Sequence, residues 1–339
     1  MRKRSDPFPT RLQKSAEPIP RIEPVVHARN QYRWEGPLDE VSLSLYERDG
    51  FLWFEGFFSK ERMLPFFEEM KVLAADEKLR ASEQVISDPN TGELRSVFGM
   101  HELSQEFSRL TRDPRILGIV RQLLGSEVYI HQSRINDKIG FESAGFDWHS
   151  DFETWHAEDG MPAMRAVSVS LMLTDNNEFN GPLMLIPGSH HMFVPCVGET
   201  PEQNWKRSLK AQKVGIPDRQ TLAALADRGG IEAPKGPAGS ILFFECNTLH
   251  ASNTNLSPWP RSNLFFVYNS VENKLEEPYA APQRRPGYLA ARHDYTPLEM
   301  HDEFPELANQ GVGRLRSSGF AQDAASSVAA ASSRTSRAQ

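Results

Sequence analysis

An antiparallel β sandwich or barrel, mainly β and braced on its outside by flanking helices, is the fold class this sequence predicts. Three observations predict it. Short apolar runs bounded by Gly, Pro, Asn and Ser recur between residues 127 and 270. They are not separated by the regular helices that a doubly wound sheet needs. The longest helical pattern comes before them, where it can brace the sheet from outside.

The elements follow in order. "SKERMLPFFEEMKVLAADEKLRA", 59–81, sets Met63, Phe66, Phe67, Met70 and Leu73 at helical spacing, and Pro65 marks a start or a kink. In "DPRILGIVRQLLG", 113–125, Asp113 is an N-cap, Pro114 the first helical residue and Gly125 the stop. Ile116, Ile119, Val120 and Leu123 make its apolar stripe. "EVYIHQSRIN", 127–136, and "RAVSVSLMLTD", 165–175, alternate as strands do. In the second, Val167, Val169, Leu171 and Leu173 share one face, and Ser168, Ser170, Met172 and Thr174 the other. "GPLMLIPGSH", 181–190, predicts a short strand ending in a Pro-Gly turn. "TPEQNWKRSLKAQ", 200–212, opens like a capping box from Thr200 to Gln203, and Asp218 caps "RQTLAALADRGG". "GSILFFEC", 239–246, and "RSNLFFVYNS", 261–270, are aromatic-rich strands.

The ends read differently. Residues 1–35 are rich in Pro, Arg and Lys without a period, which predicts a loosely held arm. "MRKRSDPFPTRLQKS" has no apolar core, so a secretory signal is not expected; an organelle-targeting segment is the alternative to a solvated tail. Residues 36–305 are expected to form a single domain. Residues 306–339 are Ala/Ser-rich and predict disorder, since they bury too little surface to offset ordering entropy. The net charge of -7 argues against nucleic acid and anionic membranes as partners. No apolar run is long enough to span a bilayer. Two cysteines, Cys196 and Cys246, make no disulfide framework and suit a reducing cytoplasm.

The chemistry concentrates in "FDWHSDFETWHAEDGMPAMR", 146–165. His149 and Asp151 stand two apart, and in a strand both side chains reach one ion. His250 follows a strand about a hundred residues on. Two histidines and one carboxylate form a facial triad that leaves positions open for a co-substrate and oxygen. The same set suits a catalytic zinc, and spacing does not choose between iron and zinc. Taken alone, His-x-Asp is more often a hydrogen-bonded surface pair. Arg261, eleven residues after His250, has the planar fork that grips a carboxylate, as 2-oxoglutarate requires. By itself it reads as a surface arginine at a strand end.

Taken together, these residues resemble the ectoine hydroxylase family, within the phytanoyl-CoA dioxygenase superfamily of Fe(II)/2-oxoglutarate-dependent oxygenases. The likeness runs from the 146–165 signature through "YIHQSRIN", "NGPLMLIPGSHHMFVPCVGETPEQNWK", "GPAGSILFFECNTLHASNTN" and "RSNLFFVYNSVEN". It leaves out both ends. The resemblance implies a double-stranded β-helix, or jelly-roll, core with flanking helices. It implies an enzyme that uses Fe(II), with 2-oxoglutarate and O2 as co-substrates, to convert ectoine to 5-hydroxyectoine, a compatible solute of osmotic stress. Succinate and CO2 are the other products. His149, Asp151 and His250 match the iron ligands, and Arg261 the arginine that holds 2-oxoglutarate. Phe98, Arg134, Asn136, Phe146 and Ser252 fall where the family lines the co-substrate pocket. Gln132, Thr154, Trp155, Ser168, Phe244 and Phe265 fall near the implied ectoine site. Family members are often dimers, so a homodimer is a further expectation. One departure is Ala163, where the family usually has a larger polar residue; it bears on loop packing more than on chemistry.

Ectoine is a small zwitterion with a cyclic amidinium and a carboxylate, and aromatic faces attract a desolvated cation. Trp155, Phe244 and Phe265 offer such faces, although strand phenylalanines are most often core. His156 reads as a surface or supporting residue, Glu158 and Asp159 as solvent-facing, and His190 and His191 as structural. Three alternatives stay open at this stage. They are a related oxygenase acting on another small amino-acid-like substrate, a non-catalytic metal-binding jelly roll, and a zinc hydrolase.

Overall fold

A computed structural model describes residues 5–29, 34–88, 91–141, 143–301 and 314–316. Its strands in chain order are β1 (Ile19–Pro20), β2 (Phe51–Glu55), β3 (Val85–Ser87), β4 (Leu94–Phe98), β5 (Val128–Lys138), β6 (Phe146–His149), β7 (Ala166–Met172), β8 (Leu183–Leu185), β9 (Met192–Phe193), β10 (Ile241–Glu245), β11 (His250–Ser252), β12 (Arg261–Ser270) and β13 (Arg314–Arg316). Eight of them form one large antiparallel sheet in the order β13-β2-β10-β7-β12-β5-β4-β3. A small sheet, β6-β11-β8, carries two of the candidate ligands, and β1 pairs with β9 at the side. This two-sheet arrangement is the double-stranded β-helix with flanking helices.

Alternation decides what each face of the large sheet does. Val167, Val169, Leu171 and Leu173 point to the helical side, as the sequence predicts, and join Phe54, Phe243, Leu264 and Phe266 in the main core. The helix Pro114–Leu124 packs there through Ile116, Ile119, Val120 and Leu123, all fully buried. Each such side chain contributes roughly 1.5–3 kcal/mol relative to exposure. Asp113 caps its first turn at the Arg115 N–H, and Gly125 ends it in the left-handed conformation. The opposite face carries Phe51, Trp53, Met172, Leu242, Phe244 and Phe265, a second apolar cluster facing the small sheet. The candidate site lies between the two sheets.

Several expectations need correction. The 59–81 helix breaks at Asp76, whose side chain caps a second short helix, Glu77–Arg80, while Pro65 sits inside Lys60–Ala75. The capping box at Thr200 does not form. Gln203 has φ 50, and only Trp205–Ser208 is helical. Asp218 does cap Arg219–Gly229, accepting from the Thr221 N–H. The arm is docked rather than loose over residues 5–29. Phe8 is buried against Phe152 and Phe193, and Arg11 forms a buried two-bond pair with Glu153 at 2.7 and 2.9 Å. Arg21 pairs with Glu245 at 2.9 Å. The expected tail, 306–339, lies outside the described residues except Arg314–Arg316, which pairs with β2. Among the described residues no helix is long and apolar enough to cross a membrane.

Candidate functional site

The three candidate ligands come from two neighbouring segments. β6 ends at His149, and His250 opens β11 directly opposite it in the antiparallel register. Asp151 is not a strand residue, contrary to the expectation. Ser150 caps a helical turn, Asp151–Thr154, by accepting from the Glu153 N–H, and it donates to Asn247 Oδ1. The chain therefore turns immediately after His149, and Asp151 still meets both imidazoles. Its Oδ1 lies 3.8 Å from His149 Nε2 and 3.9 Å from His250 Nε2. One ligand atom from each of the three lies within 4.8 Å of the others.

The imidazoles are set for metal binding by their far sides. His149 Nδ1–H donates to the Asp147 carbonyl at 2.7 Å, and His250 Nδ1–H to the Thr248 carbonyl at 3.0 Å. A carbonyl only accepts, so each Nδ1 carries the hydrogen and each Nε2 keeps its lone pair toward the centre. Burial, then the neighbouring His149, pushes the His250 pKa down to about 4, which keeps the ring neutral. Burial works to raise the Asp151 carboxyl. His250, Arg134, His149 and the Ser168 hydroxyl outweigh it and hold the group below the usual carboxylate range. Two imidazole nitrogens and one carboxylate, with open space beside them, fit a divalent first-row metal.

Nearly all the sequence-predicted residues line one pocket with this triad. Phe98, Arg134, Asn136, Phe146, Ser252 and Arg261 lie on it, as do Gln132, Thr154, Trp155 and Phe265. Arg261 is fully buried. Its Nη1 donates to the Gly181 carbonyl at 2.8 Å, its Nε has no partner, and burial lowers its pKa to about 10. Ser96 donates to Asn136 Oδ1 at 2.8 Å. Gln132 Oε1 accepts from Arg134 Nη1 at 2.6 Å, and that guanidinium stands 4.7 Å over the Phe265 ring. Trp155 meets the His131 ring edge-on at 5.1 Å.

Ser168 and Phe244 do not line the pocket. Both stand behind the ligands. Ser168 Oγ donates to Asp151 Oδ2 at 3.1 Å, and the Phe244 ring lies 5.0 Å from His250. The cause is register: Ser168 and Phe244 pair on β7 and β10, in the layer beneath the triad.

The sequence reading missed other wall residues. Glu158, Asn204 and Arg285 also line the pocket. Glu158 and Asp159, expected in solvent, are buried in a π-helical turn, Trp155–Asp159. Arg11 pairs with Glu158 at 3.2 Å, and Arg285 clasps Asp159 through bonds of 2.7 and 2.5 Å. Gly160 ends this turn at φ 73, and a Cβ there would sit 2.3 Å from the Glu276 carbonyl oxygen. The only local hint was five acids in a stretch that also holds two tryptophans. His156, read as a surface or supporting residue, is buried; its ring nitrogens meet the Met161 carbonyl and Asp6. His190 is structural, with Nε2 at 3.1 Å from the Glu47 carbonyl. The Ala163 departure leaves the loop held through its backbone, which bonds twice to the Asn273 amide.

Comparison with known proteins adds an independent line. Residues 46–263 match the phytanoyl-CoA dioxygenase (PhyH) family. An ectoine dioxygenase of Halomonas elongata is 54% identical over 292 residues, covering 85% of this chain and 87% of that protein. One from Bordetella bronchiseptica is 50% identical over 290 residues, covering 86% and 94%. The crystal structure of EctD from S. alaskensis with 2-oxoglutarate and 5-hydroxyectoine superposes with a TM-score of 0.78 at 41% identity, covering 88% of this chain and 98% of that one. The same protein with bound Fe gives 0.77. A non-heme alpha ketoglutarate dependent carbocyclase, SnoK, shares the fold at 19% identity and TM-score 0.56.

Proposed function

The chain belongs to the phytanoyl-CoA dioxygenase family, and from that premise we propose that it hydroxylates ectoine to 5-hydroxyectoine, using Fe(II), 2-oxoglutarate and O2 and releasing succinate and CO2. The observation that carries this reading is the meeting of His149, Asp151 and His250 in one pocket with the buried Arg261 guanidinium. Bound Fe(II) supplies the oxidative chemistry that couples oxygen and 2-oxoglutarate to hydroxylation.

The chain's own residues do the rest. His149 and His250 offer fixed Nε2 lone pairs, and Asp151 offers a carboxylate steadied by Ser168. Arg261 receives the distal carboxylate of 2-oxoglutarate through donors that the protein leaves unused. A buried, desolvated setting strengthens that pairing. Arg134, held by Gln132, and Asn136, held by Ser96, give further donors on the same side. Phe98 and Phe146 close the co-substrate end against water. Trp155 and Phe265 present aromatic faces to the cyclic amidinium, worth roughly 0.5–2 kcal/mol each, and Thr154 orients its polar edge. Phe244 acts indirectly, by packing on His250.

The test is succinate formation by the purified protein with Fe(II), 2-oxoglutarate and oxygen, with and without ectoine. Succinate released in step with ectoine loss supports the reading. Ectoine-independent succinate keeps the oxygenase and reopens the substrate. Two buried, unpaired cysteines favour a reducing cytoplasm as its compartment. A homodimer in solution, formed from single-domain protomers, belongs to the same proposal and is read by sedimentation.

A further inference from the structure

We propose that Glu158 is a specificity-determining residue: its carboxylate is the anion that receives the cationic ring of the substrate, and it makes the pocket select a cation over a neutral molecule of the same shape. The inference rests on the oxygenase reading above and concerns a residue to which that reading assigns no part.

The charges around the pocket single this residue out. Among the described residues, two carboxylates line it, Asp151 and Glu158, against three guanidinium groups, Arg134, Arg261 and Arg285. Asp151 sits within 3.9 Å of both triad imidazoles and belongs to the metal set. The nearby acids are already engaged. Glu153 accepts from Thr10 and twice from Arg11, and Asp159 accepts twice from Arg285. Glu158 is thus the carboxylate left for a cation in the pocket.

Its geometry is that of a held acceptor. Trp155 and Glu158 stand three residues apart on the π-helical turn, and both line the pocket. Glu158 is buried, and its Oε1 accepts from Asn204 Nδ2 at 2.8 Å and meets Arg11 Nη2 at 3.2 Å. Both contacts fall on one oxygen. Among the described residues no hydrogen bond reaches Oε2, which keeps its lone pairs for an N–H donor. Burial pushes the carboxyl above its usual range, and Arg285, Arg11 and Asn204 act against it. A bound cation adds to that compensation, since a buried carboxylate gains most from a charged donor. The Trp155 face attracts a cation without fixing its orientation; a carboxylate fixes the N–H as well.

The experiment is coupled succinate release with ectoine, inhibited by acetamidinium or by acetamide, its neutral counterpart of nearly the same shape. In the wild type acetamidinium is expected to compete with ectoine at least about 10-fold better than acetamide. Glu158→Gln keeps an oxygen for Asn204 and Arg11 and removes the charge. It is expected to raise the KM for ectoine about 10-fold, to cut the preference for acetamidinium by a similar factor, and to leave the KM for 2-oxoglutarate within about 2-fold. Equal inhibition by the two probes in the wild type overturns the inference without recourse to any variant. A Glu158→Gln enzyme that keeps the full preference for acetamidinium also overturns it, even if its KM for ectoine rises, because packing alone would then account for the rise. Both results leave the oxygenase reading intact. If the wild type releases no succinate in step with ectoine loss, that reading falls and takes the inference with it.

Discussion

His149 and His250 face each other across the β6–β11 pair, in register, with ring centroids 4.3 Å apart. Two imidazoles this close, each with Nδ1 tied to a backbone carbonyl, turn their Nε2 atoms to one point. Asp151 completes the set from the next helical turn. His250→Ala and Asp151→Ala are therefore expected to lower coupled succinate release by about 100-fold or more, since either leaves only two ligands. Near-normal turnover in His250→Ala would sink the triad assignment.

Arg261 predicts a different pattern. Its loss removes a paired, desolvated grip on one end of the co-substrate without touching the metal ligands. Arg261→Ala should raise the KM for 2-oxoglutarate by roughly 10- to 100-fold, with a smaller fall in kcat at saturation. Steady-state kinetics with varied 2-oxoglutarate reads both. Equal KM values in variant and wild type would remove Arg261 from the subsite.

Trp155 tests the substrate wall. Deleting its ring would open a cavity among Phe152, Met161 and Met164, so a truncation would confound binding with stability. Trp155→Phe keeps most of the packing and reduces the aromatic face. The KM for ectoine is expected to rise several-fold, by about 3- to 10-fold, while the KM for 2-oxoglutarate stays near its wild-type value. A change confined to 2-oxoglutarate would place Trp155 at the other end of the pocket.

Arg11 tests the docked N-terminal segment. Its guanidinium is buried between Glu153 and Glu158, and Glu158 lines the pocket. Removing it leaves two buried carboxylates with less compensation, a loss of about 3–5 kcal/mol. Arg11→Met should lower the urea midpoint accordingly, and succinate release should fall with it, because Glu158 lines the pocket. An unchanged midpoint would mean that residues 5–29 dock without stabilising the fold.

The pH dependence of stability follows from two histidines outside the metal site. Burial is the main cause that pushes His101 from 6.5 to about 4 and His27 from 6.5 to about 3. Both are neutral in the folded chain at pH 7. As pH falls below about 6.5 the unfolded chain binds these protons first. Stability is full above that value and declines until the folded groups also protonate, near pH 4 and 3. At pH 5 each contributes a loss of about 1–2 kcal/mol. Urea unfolding at pH 7.5 and 5 should show the drop, and His101→Gln should reduce it. A His101→Gln variant with the full wild-type pH dependence would contradict the assignment.

Legibility in the sequence tracked the range of the forces involved. The helix Pro114–Leu124 was readable to its ends because Asp113, Pro114 and Gly125 act within one turn. The alternation in β7 was readable because the two faces of a strand differ by one residue. The short strand Phe51–Glu55 carried no such alternation, being apolar on both faces and buried on both. The capping box at Thr200 failed because a local motif only offers a conformation. Gln203 takes a positive φ instead, and nothing in the thirteen residues from Thr200 foretells it.

The ligand types, their spacing and the arginine that follows them were written in the chain, because donor atoms and hydrogen-bonding forks are properties of the residues themselves. Their convergence was not. It depends on His149 and His250 pairing across about a hundred residues, and on a turn at Ser150 that moves Asp151 off the strand. The same holds for the acids after Trp155. Glu158 and Asp159 look like solvated charges until Arg11 and Arg285 arrive, the latter from 126 residues away. A buried carboxylate is stable only with its partner in place, and partners this distant are chosen by the closing of the sheets, for which no local pattern exists.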